Sequence, residues 1–371
     1  MAAKRAPRVL LTADTVGGVW TYAVELARAL AARGVRVAIA TMGAPLAPHQ
    51  RAALADCRAV TVFESSFRLE WMQEPWDDVA AAGEWLLALE RDLRPDLVHL
   101  NQYAFGALPL RAPKLVVAHS CVASWWRAVH GEPAPASWNV YRERVRQGLA
   151  GAAAVAAPTR AMLDALRLEY SWQGPDRVLA NGCVPGQFAP APKQERILAA
   201  GRFWDAAKNL QALEQAAPGL PWPVCVAGSA AHPDGGVVQP QAVRFLGELP
   251  RMALARELAE AAIYALPARY EPFGLSVLEA ALSGCALVLG DIASLREVWG
   301  AAARYVSPDD PCALHAALRD LIADPAERAR LAAAAQARAQ RYTARAMCDA
   351  YLACYAEVAP QFATTEEPAC A

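Results

Sequence analysis

Glu271 and Glu279 stand eight positions apart in the segment ARYEPFGLSVLEAALSG, and carboxylates so placed can do two different jobs. The run before them reads as a strand and the run from Leu275 to Ser283 as a helix, so Glu271 falls in the connecting loop and Glu279 about one turn into the helix. A loop carboxylate can accept from a sugar hydroxyl, and one just inside a helix can accept from a vicinal diol. Between them Gly274 permits an unusual backbone angle. The N–H groups from Gly274 to Ser276 are expected to be unpaired at the helix start, where a phosphate is favoured. Acids placed only for the helix dipole would account for a glutamate near the N-terminus but not for the Glu-Pro-Phe-Gly loop.

A second constellation is GRFWDAAKN, which puts Arg202 just after an apolar strand and Lys208 at the start of the next helix. A guanidinium that forks onto two oxygens and an ammonium acting as a point charge make an anion site suited to pyrophosphate. Only four lysines stand against 32 arginines in the whole chain, so a lysine here is not background composition. The competing reading is a solvated helix start with an incidental ion pair. Two weaker signals lie in the first half. Gly17 and Gly18, in GGVWTY, follow the first strand and open a helix, but the dinucleotide fingerprint G-x-G-x-x-G is not met. His119 ends the strand of VVAHS, a place equally suited to a buried, satisfied imidazole.

Positioning such residues requires strands that end beside helix starts, and the sequence supplies them from end to end. Strands are expected at Arg8–Ala13, Val35–Ala40, Leu97–Leu100, Leu115–Ala118 and Ala153–Ala157, with helices at about Val19–Ala32, Val79–Leu93 and Trp138–Leu149 and one capped by Thr159. The Gly- and Pro-rich stretch NGCVPGQFAPAPK, residues 181–193, reads as a linker. Beyond it a second series has strands at Arg196–Ala200, Val224–Ala227, Val243–Leu246, Ile263–Leu266 and Ala286–Leu289. Helices start at Asn209, span Arg251–Ala261 and Leu275–Ser283, and fill most of 311–358, before a tail expected to be frayed. This alternation is the sequence form of α/β structure with parallel sheets. At 371 residues, two domains are the expectation.

Composition narrows the function. Apolar residues make up 55% and charged residues 20%, with 36 basic against 37 acidic side chains, which argues against disorder and against nucleic acid as a partner. A slight basic excess in the first half is compatible with an anionic membrane surface. Nine cysteines are scattered singly, without a C-x-x-C pair, which speaks against a zinc site or a disulfide framework and for a reducing compartment. No apolar stretch is long enough to span a membrane and the first residues read as a strand, so a cytoplasmic protein with access to a membrane's inner face is expected.

Taken together, EPFGLSVLE with its E-x7-E spacing, GRFWDAAKN, GGVWTY, VVAHS and NGCVPGQF resemble the retaining glycosyltransferases of family 4. The resemblance covers nearly the whole chain in the right order. It implies a GT-B architecture: two Rossmann-like, doubly wound domains facing across a cleft, residues 1–183 on the acceptor side and 184–342 on the donor side, with a C-terminal helix at about 343–371 crossing back to the first. It further implies that Arg202 and Lys208 bind the donor pyrophosphate, assisted by the amides of Phe273, Gly274 and Leu275. Glu279 would hold the ribose and Glu271 the sugar, with Gly17 and Gly18 at the diphosphate and His119 at the transferred sugar. The family is assigned front-face departure and attack, without a carboxylate nucleophile. The partners implied are a nucleotide-diphosphate sugar, as co-substrate, and a hydroxyl acceptor such as a glycolipid, polysaccharide or metabolite. No cofactor and no metal are expected, since no Asp-x-Asp motif is present.

Six of the eleven tryptophans lie between residues 71 and 138, and Trp71, Trp76, Trp125 and Trp126 are the candidates for the acceptor, though each is as well explained by packing. Trp71 and Trp76, around Glu74-Pro75, are expected in an exposed loop. An epimerase of the same fold and a non-catalytic nucleotide-sugar-binding subunit stay open as alternatives; the absent fingerprint disfavours a dehydrogenase.

Overall fold

The computed structural model describes residues 5–232 and 235–363. The apolar runs of the first half form β1 (Arg8–Asp14), β2 (Arg36–Met42), β3 (Val60–Phe63), β4 (Leu97–Leu100), β5 (Lys114–Val117), β6 (Ala154–Ala157) and β7 (Asp176–Val178), which pair in the order β3-β2-β1-β4-β5-β6-β7. The second half supplies β8 (Gln194–Ala200), β9 (Val224–Ala227), β10 (Arg244–Gly247), β11 (Ala261–Leu266), β12 (Ala286–Gly290) and β13 (Arg304–Val306), in the order β10-β9-β8-β11-β12-β13. Every pairing in both sheets is parallel. Parallel strands need crossover helices that cover both faces, and the inner strands β4, β6, β11 and β12 accordingly have no exposed residue.

Three strands escape the apolar pattern, β3, β7 and β13, and all three lie at sheet edges. An edge strand has one neighbour and a wetter face, so it is short and only partly apolar; β7 and β13 have three residues each. A helix at Val122–His130 was equally unmarked in the sequence. Thr159 caps helix Arg160–Tyr170 as expected, its hydroxyl accepting from the Met162 N–H at 3.2 Å.

By internal contacts the chain divides into two units. The first comprises Met1–Ser124, Pro133–Asn181 and Ala344–Ala371, the second Trp125–Glu132 and Gly182–Thr343. The helix Ala344–Val358 thus completes the first unit, packing on helix Gly18–Ala32 through buried Met347, Tyr351, Leu352 and Tyr355. An ion pair between Arg33 and Asp349 reinforces the contact. The core of the second unit gathers Ile197, Phe203, Leu213, Trp222, Leu318 and Leu331 around the sheet. Residues from 364 onward, most of the tail expected to be frayed, lie outside the described residues; just before them Pro360–Phe362 form a single turn with Phe362 buried. Among the described residues no helix is long and apolar enough to cross a membrane.

Each sheet reverses its winding once. In the first unit β1 is flanked by β2 and β4; in the second β8 is flanked by β9 and β11. At such points the loops after adjacent strands diverge, and ligands of doubly wound sheets bind beyond those carboxyl ends. Gly17 follows β1, His119 follows β5, Arg202 follows β8 and Glu271 follows β11.

Candidate functional site

In the second unit the loops after β8 and β11 are joined by one ion pair. Lys208 Nζ donates to Glu271 Oε2 at 2.5 Å, the side chains being 13% and 14% exposed. The other carboxylate oxygen accepts from the N–H of Gly274 at 2.9 Å and of Phe273 at 3.4 Å. This corrects one expectation: the Gly274 amide at the helix start is not unpaired, because the carboxylate expected to face a sugar curls back onto it. The turn is possible because Gly274 sits at φ 89°, where a Cβ would stand 2.9 Å from Val277 Cγ2. Ser294 fixes the same loop by donating to the Glu271 carbonyl at 2.6 Å. Glu279 lies in the second turn of helix Leu275–Leu282 and is 8% exposed.

Arg202 is held differently. Its guanidinium lies 3.5 Å from Asp205 Oδ2 and 5.2 Å over the Trp204 ring. Asp205 is itself buried, accepting from the Ala207 N–H at 2.9 Å to start the single turn that carries Lys208.

Two positioning residues were not singled out beforehand. Asn209 adopts the left-handed conformation at φ 59°, donates to the carbonyls of Pro267 and Pro308 at 2.9 and 2.7 Å, and accepts from Arg269 at 2.6 Å. It therefore ties three loops together directly beside Lys208, and an Asn following the lysine was the available signal, since Asn tolerates this backbone better than most residues. Tyr264 is the hydroxyl in an otherwise apolar strand. Its OH donates to the Ala200 carbonyl at 3.1 Å and accepts from the Ser276 hydroxyl at 2.8 Å, so β11, β8 and the helix start share one bond centre. Burial holds its pKa well above the ordinary range, so it stays a donor.

In the first unit, Gly17 caps helix Gly18–Ala32 at φ 105°, and both glycines are exposed. The loop is pinned by buried Asp14, which accepts from the Val16 N–H at 2.6 Å and from Trp71 Nε1 at 3.3 Å. Trp71 is accordingly half-buried and anchored, and Trp76 is the first residue of helix Trp76–Leu93; neither lies in a free loop, because Asp14 and helix formation claim them. Next to Trp71, buried Glu70 accepts from the N–H groups of Tyr103 and Ala104 at 2.9 and 2.8 Å. Burial nevertheless raises its pKa to about 7. His119 is half-buried, its Nε2 2.8 Å from Asn101 Oδ1 and its ring edge-on to Tyr22 at 4.4 Å. Its surroundings exclude the charged form and lower its pKa to about 3.

Trp125 and Trp126 part from the other two tryptophans. Their helix segment groups with the second unit, where Trp125 Nε1 donates to Asp205 Oδ1 at 2.8 Å. The two rings and His130 pack together, Trp126 to His130 at 4.4 Å. Their placement with the loop of Arg202 and Lys208 in the second unit, and not with the first unit, follows from that indole to carboxylate bond.

Residues 16–185 match the family model Glycosyltransferase Family 4, and residues 194–324 the model Glycosyl transferases group 1. The chain is 33% identical over 180 residues to a glycogen synthase of Mycobacterium tuberculosis, covering 43% of this chain and 43% of that protein. It is 30% identical over 198 residues to a phosphatidyl-myo-inositol mannosyltransferase of Mycolicibacterium smegmatis, 47% and 51% respectively. The matched stretches thus span about half or less of these curated relatives. Among solved structures, a sucrose-phosphate synthase from Thermosynechococcus elongatus superposes with TM-score 0.79 at 20% identity over 95% of this chain and 99% of that one. Anabaena HepE in complex with UDP-glucose does so with TM-score 0.74 at 16% identity over 94% and 99%. Two glycosyltransferase family models between them take in both sheets and agree with the motifs at the strand ends: the chain is built of a Glycosyltransferase Family 4 domain followed by a Glycosyl transferases group 1 domain.

Proposed function

We propose that this protein is a retaining glycosyltransferase that moves a hexose-type sugar from a nucleotide-diphosphate sugar to a hydroxyl acceptor without a metal ion or cofactor. The observation that carries the reading is the Lys208 to Glu271 pair set against the Gly274 amide, which puts a cation, a carboxylate and a helix start within one cluster of bonds. A diphosphate leaving group gains negative charge as the glycosidic bond breaks, and fixed positive groups stabilise that charge most when they are already in place. Lys208 and Arg202 supply it, with the amide of Leu275, since those of Phe273 and Gly274 are taken by Glu271; Glu279 accepts from the ribose diol. Donor binding requires Lys208 to exchange part of its hold on Glu271 for phosphate oxygen, which frees the carboxylate for a sugar hydroxyl. Gly17, Gly18 and His119 keep, as part of this proposal, the donor-contacting roles that the resemblance implies.

In the reaction the bond from the anomeric carbon to the phosphate oxygen breaks. The acceptor oxygen bonds to the same face of that carbon, and its proton passes to the departing phosphate oxygen. Glu271 is not assigned as a nucleophile: one oxygen stays on the Gly274 amide, and the one that Lys208 releases takes a sugar hydroxyl. In this reading the charge on the diphosphate is neutralised by Arg202 and Lys208. UDP is the first nucleotide to test, since HepE was solved with UDP-glucose.

The test is calorimetric titration of UDP, GDP and ADP in the presence of chelator, followed by turnover of the corresponding sugars. Saturable binding of one nucleotide with sugar transfer or slow donor hydrolysis is expected. Binding without any turnover would replace the enzyme by a nucleotide-sugar-binding subunit, and sugar interconversion by an epimerase.

A further inference from the structure

The first unit carries a buried polar chain that the donor site alone does not call for. β4 and β5 are parallel neighbours with Leu100 opposite Val116, so Asn101 and His119 leave the same edge of the sheet side by side. Asn101 is fixed at both ends of its peptide and side chain: its N–H donates to Thr12 Oγ1 at 2.9 Å, and its Nδ2 donates to the Thr12 carbonyl at 2.5 Å. A carbonyl can only accept, so the amide NH2 must face Thr12 and the amide oxygen must face the imidazoles. That oxygen lies 2.8 Å from His119 Nε2 and 3.2 Å from His99 Nε2. An amide oxygen has no proton to give, so each of these nitrogens carries one. His99 uses its remaining nitrogen, Nδ1, to accept from Tyr355 OH at 2.6 Å, and Tyr22 OH lies 3.2 Å from its Nε2. Tyr351 stacks on the His99 ring at 5.3 Å.

From this geometry we infer that Asn101 is a positioning residue that holds His119 as the neutral tautomer protonated on Nε2, leaving Nδ1 as a hydrogen-bond acceptor. The titratable groups packed on the two rings are Tyr22 from the first helix and Tyr351 and Tyr355 from the last, all buried phenols. Burial lowers both imidazoles to about pKa 3, which agrees with neutral rings. His119 therefore meets its ligand as an acceptor for a hydroxyl proton. It is not an imidazolium pairing with phosphate and not a general acid. This assignment deepens the proposed function and rests on it for the identity of that hydroxyl as one of the donor sugar's.

The experiment is two-bond 1H–15N correlation NMR of the histidine rings in the full chain, with His119→Gln providing the assignment. The wild type is expected to show His119 protonated at Nε2, with no titration above about pH 5. In Asn101→Leu the tautomer is expected to become mixed, and in Asn101→Asp the proton stays on Nε2 while the pKa rises. Loss of the oriented acceptor in Asn101→Leu should lower kcat/KM with the donor by up to about tenfold. A wild-type ring protonated at Nδ1, or an unchanged tautomer in folded Asn101→Leu, overturns the inference, and the first of these needs no variant to fold. Expected tautomers in a protein that neither binds nor turns over any nucleotide sugar would instead sink the proposed function and leave the role of Asn101 standing.

Discussion

Lys208 is held between two demands, the carboxylate it pairs with and the phosphate it is proposed to take. Removing it should lower nucleotide-diphosphate affinity by roughly 1.5–3 kcal/mol, the worth of a hydrogen bond to a charged group. Calorimetry of Lys208→Ala checks this, and unchanged affinity would remove the pyrophosphate assignment. Glu271→Gln separates the partners. It keeps an oxygen for the Gly274 amide but releases the lysine, so nucleotide binding should hold or tighten while sugar turnover falls about a hundredfold. At this scale the sequence was informative about which residues matter and silent about what they touch. The spacing of Glu271 and Glu279, and a lysine in a chain nearly devoid of them, were legible. That Glu271 folds back to satisfy a helix-start amide was not, since it depends on a backbone turn that only the packed loop defines.

Strands and helices deliver these side chains, and their supports are where a fold becomes a site. Tyr264 bonds the strand ends of β8 and β11 to the helix start through one hydroxyl. Tyr264→Phe keeps the ring and leaves the Ala200 carbonyl and Ser276 short of a partner, which should cost about 1–3 kcal/mol in denaturant unfolding and weaken nucleotide binding. Gly274→Ala should cost at least about 1 kcal/mol, because a Cβ is strained at φ 89° and meets Val277; a variant as stable as wild type would contradict the turn described. Inner strands were legible because both faces are buried and the runs are mostly apolar. β3, β7 and β13 were not, because an edge strand is specified by its single partner more than by its own composition. Trp125 shows the same limit: aromatic character was visible, but its donation to Asp205 groups it with the other unit.

Across the whole molecule, three titratable groups of the first unit, buried His99 and Glu70 and half-buried His119, set how stability responds to acid. His99 and His119 fall from 6.5 to about 3 on folding, so the unfolded chain binds more protons in that interval and their contribution is lost as pH drops below 6.5. Glu70 rises from 4.5 to about 7, so the folded chain binds the extra proton there and its contribution grows as pH falls through 7 towards 4.5. The two effects oppose each other above pH 4.5, and below it only the histidines act. Stability should therefore decline gently from about pH 6.5 and steeply below about 4.5; urea titrations across that range check it, and His99→Gln should flatten the acid limb if the variant folds. The first sheet also depends on a helix made after the second unit's long segment. Tyr351 and Tyr355, which close over His99, belong to Ala344–Val358, while the second unit draws its long segment from Gly182–Thr343. During synthesis on the ribosome, then, the unit begun first is finished last. Its sheet waits with an uncovered apolar face while the later unit is made, and a chain interrupted near residue 343 would emerge with that face open to chaperones and proteases.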